Sequence, residues 1–556
     1  MHQGRSVESL CGEWSFSFLE GARTLDVDPA RLAFKDKMLV PCCFDVVEPW
    51  LGKRGTGAYA RGFTVCARGT YRLVFESANH TAAIYLDGEL LRRHFGGHTT
   101  FHADVRIASP GAHILVVLVD NVFDTAVNAL HYPKYDWYQH GGLTAPVSLE
   151  RLPETWIDDL RITTTAWREG RVEIALTSRG RAGRLPLSVR VDDKTLLSEE
   201  LDTEPDRRVK REIVIPGCIP WSDASPQLYD VSVQLGDDGL SVRTGVRQVR
   251  AEGKNILLND EPVRLVGVNR HHLHPTFGNS LPEQLSFSDA KLIRELGCNF
   301  VRGAHYPQDR RFLETCDALG LLVWEESLGW NLWGEEPQDP LFISQCLAQT
   351  TEMVEASANH PSVIIYGILN ECHSDRKDNR ETYRVLLERI RELDPSRPVT
   401  YACNTYDKDV CLDLVDIASF NVYPGWYDNL PHPADVPGCF RWIADVSRRR
   451  AGAEKPIIIS EIGGGAVYGC RDPYKPMWSE EFQADLIERI VGAFFETDFA
   501  GLAIWQFCDH RSTQEQWLAL RRPRSFNNKG IVDEYRRRKL AADALERFLK
   551  DRRLRQ

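Results

Sequence analysis

Short segments in which apolar and polar residues alternate dominate residues 1–252 of the chain. Ala82–Gly88 is an example that ends in an Asp-Gly turn pair, and Pro110-Gly111 is another turn signal. Alternation with a period of two is typical of strands that bury one face, so the pattern predicts antiparallel β-sandwiches. We expect one sandwich over residues 1–152 and a second, of the size of an immunoglobulin-like domain, over residues 153–252.

From residue 253 onward, short apolar runs alternate with amphipathic segments of helical periodicity. Eight strands separated by helices over about 300 residues predict a (β/α)8 barrel, or TIM barrel, over residues 253–556. The connection between the sixth and seventh strands has the weakest helical pattern. The eight predicted strands are, in chain order, Arg264–Val268, Asn299–Arg302, Leu321–Trp324, Val363–Leu369, Val399–Ala402, Val415–Asn421, Ile457–Ser460 and Gly501–Gln506.

Capping residues predict where two of the barrel helices begin and end. Ser288 is predicted to begin a helix that Gly297 ends, before the second strand. Asp339-Pro340 combines an N-cap residue with a proline at the first helical position, so another helix is expected to begin there.

Two glutamates follow nearly pure apolar runs of the predicted barrel. Glu371 comes after Val363–Leu369 and Asn370, and Glu461 comes after Ile457–Ser460. Active sites of such barrels lie at the C-terminal ends of the strands, so both carboxylates are expected to face one cavity. A pair of carboxyl groups is the chemical minimum for cleaving a glycosidic bond, which makes hydrolysis of a glycoside the leading hypothesis.

Composition narrows the class of partner and the compartment. The 556 residues carry a formal charge of -11, which argues against a nucleic-acid partner. No apolar stretch is long enough to span a bilayer, and the N-terminus lacks the apolar run of a signal peptide. The 14 cysteines include no Cys-x-x-Cys spacing, so we expect reduced thiols in a cytoplasmic protein with neither metal site nor cofactor.

The order of these elements and motifs resembles glycoside hydrolase family 2. The resemblance covers the whole chain and includes Gly267–His271, Arg302–Pro307 and Ile459–Glu461. It implies a jelly-roll-like β-sandwich, an immunoglobulin-like β-sandwich and a catalytic TIM barrel. It further implies a homo-oligomer that acts on a small-molecule β-uronide or a short saccharide.

The resemblance also assigns roles to residues of the barrel. It makes Glu371 the general acid/base and Glu461 the nucleophile of a retaining enzyme, which forms a covalent glycosyl-enzyme intermediate. Asn370 is implied to contact the sugar 2-hydroxyl, and His271 and His305 to contact the substrate or the carboxylates. Tyr423 is implied to donate a hydrogen bond to the nucleophile, and Trp505 to form a ring platform under the sugar.

The segment after the eighth strand suggests the class of sugar. Asn527 and Lys529 match the Asn-x-Lys by which β-glucuronidases of this family bind the C6 carboxylate of the sugar. Lysine pairs with a carboxylate and is costly to leave unpaired, so it would also reject neutral hexoses. Asp136 and Tyr427 match residues that border the same pocket, and either Arg522 or Arg524 is expected to add positive potential. The resemblance thus implies a retaining exo-β-glucuronidase.

Departures from the family pattern leave alternatives open. His272 stands where β-glucuronidases often carry Glu, and the segment Glu325–Trp333 differs from the usual sequence there. Trp330 and Trp333 in that segment are candidates to close the pocket or to bind the leaving group. These differences leave a β-galacturonidase, a β-galactosidase of the same family and an inactive sugar-binding protein as alternatives.

Overall fold

The computed structural model describes residues 5–428, 430–512 and 522–553. Residues 1–4 lie outside this part of the chain. They begin the N-terminal segment that lacks the apolar run of a signal peptide. The described residues form antiparallel sheets in the first half of the chain and a closed parallel barrel in the second. The predicted combination of N-terminal β-sheet domains and a C-terminal TIM barrel is therefore confirmed.

Two antiparallel sheets pack face to face in the N-terminal region. Their strands are β1 (Ser6–Ser9), β2 (Gly12–Glu20), β3 (Asp36–Val40), β4 (Gly55–Val65), β5 (Gly69–Phe75), β6 (Thr81–Leu86), β7 (Glu89–Phe95), β8 (Phe101–Ile107), β9 (Gly111–Asp120) and β10 (Val147–Leu152). One sheet has the order β3-β2-β4-β9-β6-β7 and the other β1-β10-β5-β8. Alternate residues of these strands form one apolar core, which includes Trp14, Leu73 and Val117.

A smaller sandwich and a three-stranded sheet lead to the barrel. The strands are β11 (Thr155–Ala166), β12 (Arg171–Gly180), β13 (Gly183–Val191), β14 (Lys194–Thr203), β15 (Arg207–Val214), β16 (Tyr229–Leu235), β17 (Asp238–Thr244), β18 (Val249–Glu252), β19 (Asn255–Leu258) and β20 (Glu261–Val263). The sandwich pairs the sheets β11-β12-β15 and β14-β13-β16-β17, and β18-β19-β20 form the third sheet.

Eight parallel strands close the barrel in chain order, and helices surround them. The strands are β21 (Leu265–Arg270), β22 (Phe300–Gly303), β23 (Leu322–Glu326), β24 (Val363–Ile368), β25 (Val399–Cys403), β26 (Ala418–Asn421), β27 (Ile457–Ile462) and β28 (Gly501–Ile504). The helices are α1 (Glu283–Glu295), α2 (Arg310–Leu319), α3 (Pro340–Ser357), α4 (Arg380–Leu393), α5 (Val436–Arg450), α6 (Glu480–Phe495) and α7 (Leu540–Arg553). Two short strands, β29 (His510–Arg511) and β30 (Phe526–Asn527), pair beyond β28.

The barrel strands are apolar runs because both faces of each strand are covered. Every residue of β24 is buried, as expected for a parallel strand between the barrel interior and the surrounding helices. Polar side chains inside the strands, such as Arg302 in β22 and Glu326 at the end of β23, are therefore confined to a dry interior.

The helix limits show one wrong prediction. Helix α1 begins at Glu283 after Pro282, and Ser288 lies within it, where its hydroxyl donates to the carbonyl of Gln284 at 2.7 Å. Serine satisfies its hydroxyl in this way inside helices as well as at caps, so its presence alone could not locate the start. The start at Asp339 is confirmed, because its side chain accepts a hydrogen bond from the Leu341 amide of α3.

The segment between β9 and β10 extends from the N-terminal sandwich onto the barrel. The Tyr138 amide donates to the Arg511 carbonyl in β29 at 2.9 Å, which fixes this segment beside the end of β28. Asp136 is thereby placed at the mouth of the barrel. In the described part of the chain, no helix is long and apolar enough to cross a membrane.

Candidate active site

A cavity of about 1050 Å³ opens at the C-terminal ends of the barrel strands. Most of the residues singled out from the sequence line it. Asn370, His271 and His305 are buried and lie outside its lining. The predicted site residues that line the cavity are Asp136, Glu371, Tyr423, Tyr427, Glu461, Trp505, Asn527 and Lys529.

Glu461 lies in β27, and both of its carboxylate oxygens accept hydrogen bonds. The Tyr423 hydroxyl donates to one oxygen at 2.6 Å, and the Arg302 guanidinium donates to the other at 3.0 Å. Both donors are themselves buried. A phenol and a cation together favour the charged form of this carboxyl group and fix its orientation.

Glu371 follows the end of β24 and has a different environment. One of its oxygens accepts a hydrogen bond from the Asn421 amide at 2.7 Å. Asn421 lies beside Glu461 in the register of β26 and β27, so its side chain joins the surroundings of both carboxyl groups. The Ser460 hydroxyl donates to the Asn421 side-chain oxygen at 2.7 Å, which leaves the amide hydrogens for Glu371 and for the Asn370 side-chain oxygen, 3.1 Å away.

The two carboxyl groups differ in their tendency to ionise. Burial, together with the nearby charge of Glu461, raises the pKa of Glu371 to about 7. Burial also raises the pKa of Glu461, but the Arg302 charge and the hydrogen bonds from Tyr423 and Arg302 oppose that shift. We therefore expect Glu371 to hold a proton more readily than Glu461, whose charged form Arg302 and Tyr423 stabilise.

Arg302 connects the strands beneath the cavity and was assigned no role from the sequence. Its guanidinium makes a two-point ion pair with Glu326 at 2.9 Å and donates to the Asn370 side-chain oxygen at 2.9 Å. Together with its bond to Glu461, these contacts tie β22, β23, β24 and β27 together. Its signal in the sequence was a charged residue inside an otherwise apolar strand, which must have buried partners.

The two predicted histidines lie behind the cavity wall. One ring nitrogen of His305 lies 3.1 Å from Glu326, and the other lies 3.9 Å from Glu461. His271 contacts the Tyr306 hydroxyl at 3.2 Å. The Trp505 ring packs against His305, with 5.0 Å between centroids, and also lines the cavity. His305 therefore contacts the carboxylate network, whereas His271 supports neighbouring rings.

Lys529 places a buried positive charge on the cavity, beside the aromatic residues that follow β26. Its side chain is 4% exposed, and the ammonium donates to the Tyr427 hydroxyl at 2.7 Å. It also lies 5.0–5.7 Å from the ring centroids of Tyr423, Trp426 and Tyr427. Within the described residues, no carboxylate forms an ion pair with Lys529. A buried ammonium with only neutral partners is costly unless an anion pairs with it, which makes Lys529 a candidate anion-binding residue.

Asp136, Arg522 and Asn527 form the adjoining wall. Arg522 donates to the Asp136 carboxylate, and the Asn527 amide donates to its other oxygen at 2.9 Å. Burial disfavours the charged form of Asp136, but Arg522 outweighs it and lowers the pKa of this carboxyl group. Arg524 instead pairs with Glu534 at 2.7 Å, outside the cavity lining. Of the two candidate arginines, the structure thus places Arg522 at the site.

The loop that carries Asn527 and Lys529 is held from below by buried side chains. The Lys539 ammonium donates to the Asn528 carbonyl at 3.2 Å and to Asp509 at 2.8 Å. Asp509 in turn accepts from the Gly530 amide at 2.8 Å. The backbone on both sides of Lys529 is therefore fixed, which fixes the origin of its side chain.

With this geometry in place, comparison with known proteins identifies the class. Residues 249–549 match the model of the glycosyl hydrolases family 2 TIM barrel domain. The chain belongs to glycoside hydrolase family 2, and the protein is a glycoside hydrolase, as its sequence predicted.

Individual relatives share this architecture over nearly the whole chain. A β-glucuronidase of Homo sapiens is 26% identical over an alignment of 611 positions, gaps included, that covers 98% of this chain and 91% of that protein. A β-galacturonidase of Eisenbergiella tayi, solved with bound galacturonate, is 34% identical with a TM-score of 0.90 and covers 99% of this chain and 98% of that one. A β-glucuronidase of Bifidobacterium dentium is 25% identical with a TM-score of 0.87, over 98% and 97% of the two chains.

Proposed function

We propose that the protein is a retaining exo-β-uronidase that hydrolyses β-D-glucuronides. The observation that carries the proposal is Lys529, whose buried ammonium lies on the cavity without a carboxylate partner among the described residues. A sugar carboxylate at C6 would supply the missing negative charge. Arg522 and Asn527 line the same wall, where both donate to Asp136, so the unpaired positive charge of this wall is that of Lys529.

Two observations support a double-displacement mechanism. Asn421 neighbours Glu461 in the strand register and touches Glu371, so the two carboxyl groups flank one side chain. A short separation is typical of retaining glycosidases, in which it measures ~5–5.5 Å. The different surroundings of the two groups also suit the two roles: a charged nucleophile and a protonated acid.

In the first step, a Glu461 oxygen attacks the anomeric carbon, and the bond from that carbon to the leaving oxygen breaks. Glu371 gives its proton to that oxygen, so the leaving group departs as a neutral alcohol. In the second step, Glu371, now ionised, takes a proton from water while the water oxygen attacks the same carbon. The bond to Glu461 breaks, and Glu461 recovers its charge beside Arg302 and Tyr423.

The wall beyond Lys529 supports cleavage at a chain end. Asp136, Asn527 and Arg522 are joined by hydrogen bonds across the segment from the N-terminal sandwich and the loop after β28. They form a wall of the cavity on the side where the sugar carboxylate would lie, which fits release of a terminal sugar.

A second candidate substrate is the β-D-galacturonide, which differs only in configuration at C4. It is favoured by the 34% identity and 0.90 TM-score of the β-galacturonidase of Eisenbergiella tayi. Both sugars carry the C6 carboxylate, so Lys529 would serve either one.

The proposal is tested by comparing kcat/KM for matched aryl β-glucuronide, β-galacturonide and β-galactoside. We expect either uronide to exceed the galactoside by at least about 30-fold, because the neutral sugar leaves Lys529 unpaired. The better uronide decides between the two candidates. A galactoside that is hydrolysed as well as both uronides would contradict the proposal.

The raised pKa of Glu371 gives a prediction for the pH dependence. Glu371 must be protonated for the first step, and its pKa is about 7, so kcat/KM should fall as the pH rises above about 7. A uronide with a strongly acidic phenol as leaving group needs little protonation, so its kcat/KM should lose this alkaline decline. The measurement is kcat/KM for both substrates between about pH 5 and 9. An equal decline for both would show that another group titrates.

A further inference from the structure

The cavity is larger than one sugar requires. Its volume of about 1050 Å³ lies at the upper end of the ~300–1,000 Å³ typical of pockets that hold drug-sized ligands. The residues around Glu371, Glu461 and Lys529 account for only one part of its lining. The rest of the lining is available to the leaving group.

The barrel geometry fixes the direction in which the leaving group lies. Strands β24 and β28 are four positions apart in a closed barrel of eight, so they stand on opposite sides. Lys529 follows β28 and its ammonium reaches Tyr427, after β26, whereas Glu371 follows β24. A substrate whose carboxylate meets Lys529 and whose bridging oxygen meets Glu371 therefore extends its leaving group toward the loops after β23, β24 and β25.

These loops place aromatic rings on the cavity, of which Trp333 is exposed and Tyr406 is buried. Trp333, after β23, is 49% exposed and lines the cavity, and its ring packs edge-on against His373 with 4.4 Å between centroids. Tyr406, after β25, packs against Trp442 in the same way at 5.1 Å, and both also line the cavity. Rings fixed by their neighbours and open to a cavity are suited to stack on the C–H face of a sugar or on another flat group.

Polar groups lie between these rings and distinguish the two kinds of ligand. Asn404 and Asp375 line this part of the cavity. Within the described parts of the chain, the Asn404 side-chain oxygen is buried and accepts no hydrogen bond, and Asp375 already pairs with His373 at 2.8 Å. A sugar hydroxyl could give the Asn404 oxygen the hydrogen bond that it lacks, whereas a flat apolar group could not.

The charges on this side also limit the ligand. Asp375 and Asp407 are the carboxylates, Lys408 is the ammonium of the lining, and Arg449 pairs with Asp407 at 2.6 Å from behind. The wall therefore has no excess of positive charge. Among the described residues of this side, a second acidic sugar would meet only the exposed Lys408, and an exposed ammonium pairs more weakly with a carboxylate than a buried one such as Lys529.

We propose that the leaving group is a neutral sugar residue, an inference that rests on the proposed function. Trp333 stacks against this sugar, and Asn404 and Asp375 form hydrogen bonds with it. The natural substrate would then be an oligosaccharide with a uronic acid at its non-reducing end. The uronate is recognised on the Lys529 side and the neutral sugar on the Trp333 side.

The test compares three substrates with the same uronyl group: an aryl uronide, a uronyl-hexose disaccharide and a uronyl-uronate disaccharide. Wild-type protein should cleave the uronyl-hexose with kcat/KM at least about tenfold above the uronyl-uronate. Trp333→Ala and Asn404→Ala should each lower kcat/KM for the uronyl-hexose about tenfold and for the aryl uronide less than about threefold. Comparing each variant with wild type cancels the chemical difference between aryl and sugar leaving groups.

Controls separate this inference from loss of folding and from the proposed function. Tyr474→Ala removes a 92% exposed ring outside the cavity lining and should change neither activity. Trp333→Phe keeps a ring and should retain most of the activity on the disaccharide. Equal losses on all substrates, or preference for the uronyl-uronate, would overturn the inference while leaving the uronide specificity intact. If wild type instead prefers neutral glycosides, the proposed function is wrong, and the same variants assayed on a neutral disaccharide still decide the stacking role.

Discussion

Replacing Glu461 with alanine should lower kcat on the order of 10⁴- to 10⁶-fold, the range for removal of a nucleophile that acts as part of a catalytic unit. The reason is geometric as well as chemical. Tyr423 and Arg302 hold the carboxylate from both oxygens, and removing it leaves those donors directed at an empty position. Glu461 is the carboxylate of β27, and the neighbouring Glu326 is held in a two-point ion pair with Arg302.

Added azide separates a lost nucleophile from a damaged site. In Glu461→Ala, azide can occupy the vacated space and attack the anomeric carbon, which should give an α-uronyl azide. In Glu371→Ala, azide should instead attack the glycosyl-enzyme and give the β-azide, provided that the leaving group is an acidic phenol. The configuration of each product is read by proton NMR, and opposite configurations would contradict the assigned roles.

Two further variants guard against indirect effects. Glu461→Gln retains the shape of the side chain and should be as inactive as the alanine variant while unfolding at a temperature close to that of wild type. Glu454→Ala removes an exposed carboxylate that precedes β27 at the other end of the barrel and should have wild-type activity.

Replacing Lys529 with methionine should lower kcat/KM for the aryl β-uronide roughly 30- to 1000-fold, or about 2–4 kcal/mol of transition-state stabilisation. Methionine retains the buried stem and removes only the charge. Hydrolysis of the matched aryl β-galactoside should stay equal to that of wild type or rise, because the neutral sugar no longer meets a buried ammonium. The measurement is kcat/KM for both substrates in both proteins.

The matched control is Lys254→Met, which removes a surface ammonium paired with Asp498 at the far end of the barrel. It should leave both activities unchanged. If Lys529→Met reduces uronide and galactoside hydrolysis by the same factor, the lysine supports the fold of the loop rather than the recognition of the carboxylate.

Patterns along the sequence predicted the architecture because burial is regular. The run Val363–Leu369 is apolar without alternation, which is what a strand covered on both faces requires, and β24 is buried throughout. Helix ends were less predictable, since Ser288 could satisfy its hydroxyl either at a cap or inside α1. Local signals of this kind have two solutions, and only packing selects one.

The part of the site that the sequence did not predict consists of contacts between distant strands. Arg302 reaches Glu326, Asn370 and Glu461 on three other strands, and nothing in its own neighbourhood specifies these partners. The choice between Arg522 and Arg524 was equally undetermined. It depends on Asp136, which comes from the N-terminal sandwich more than 380 residues earlier and pairs with Arg522.

The central claim is that Glu461 attacks a uronide, and a competition between two trapping reagents tests it most directly. Wild-type protein is incubated with equal amounts of a 2-deoxy-2-fluoro-β-uronyl fluoride and the corresponding galactosyl fluoride, and the intact mass and a peptide map are recorded. The account predicts one added 2-fluoro-uronyl group, on the peptide that contains Glu461. Attachment of the galactosyl group instead, or labelling of another carboxylate, would contradict it.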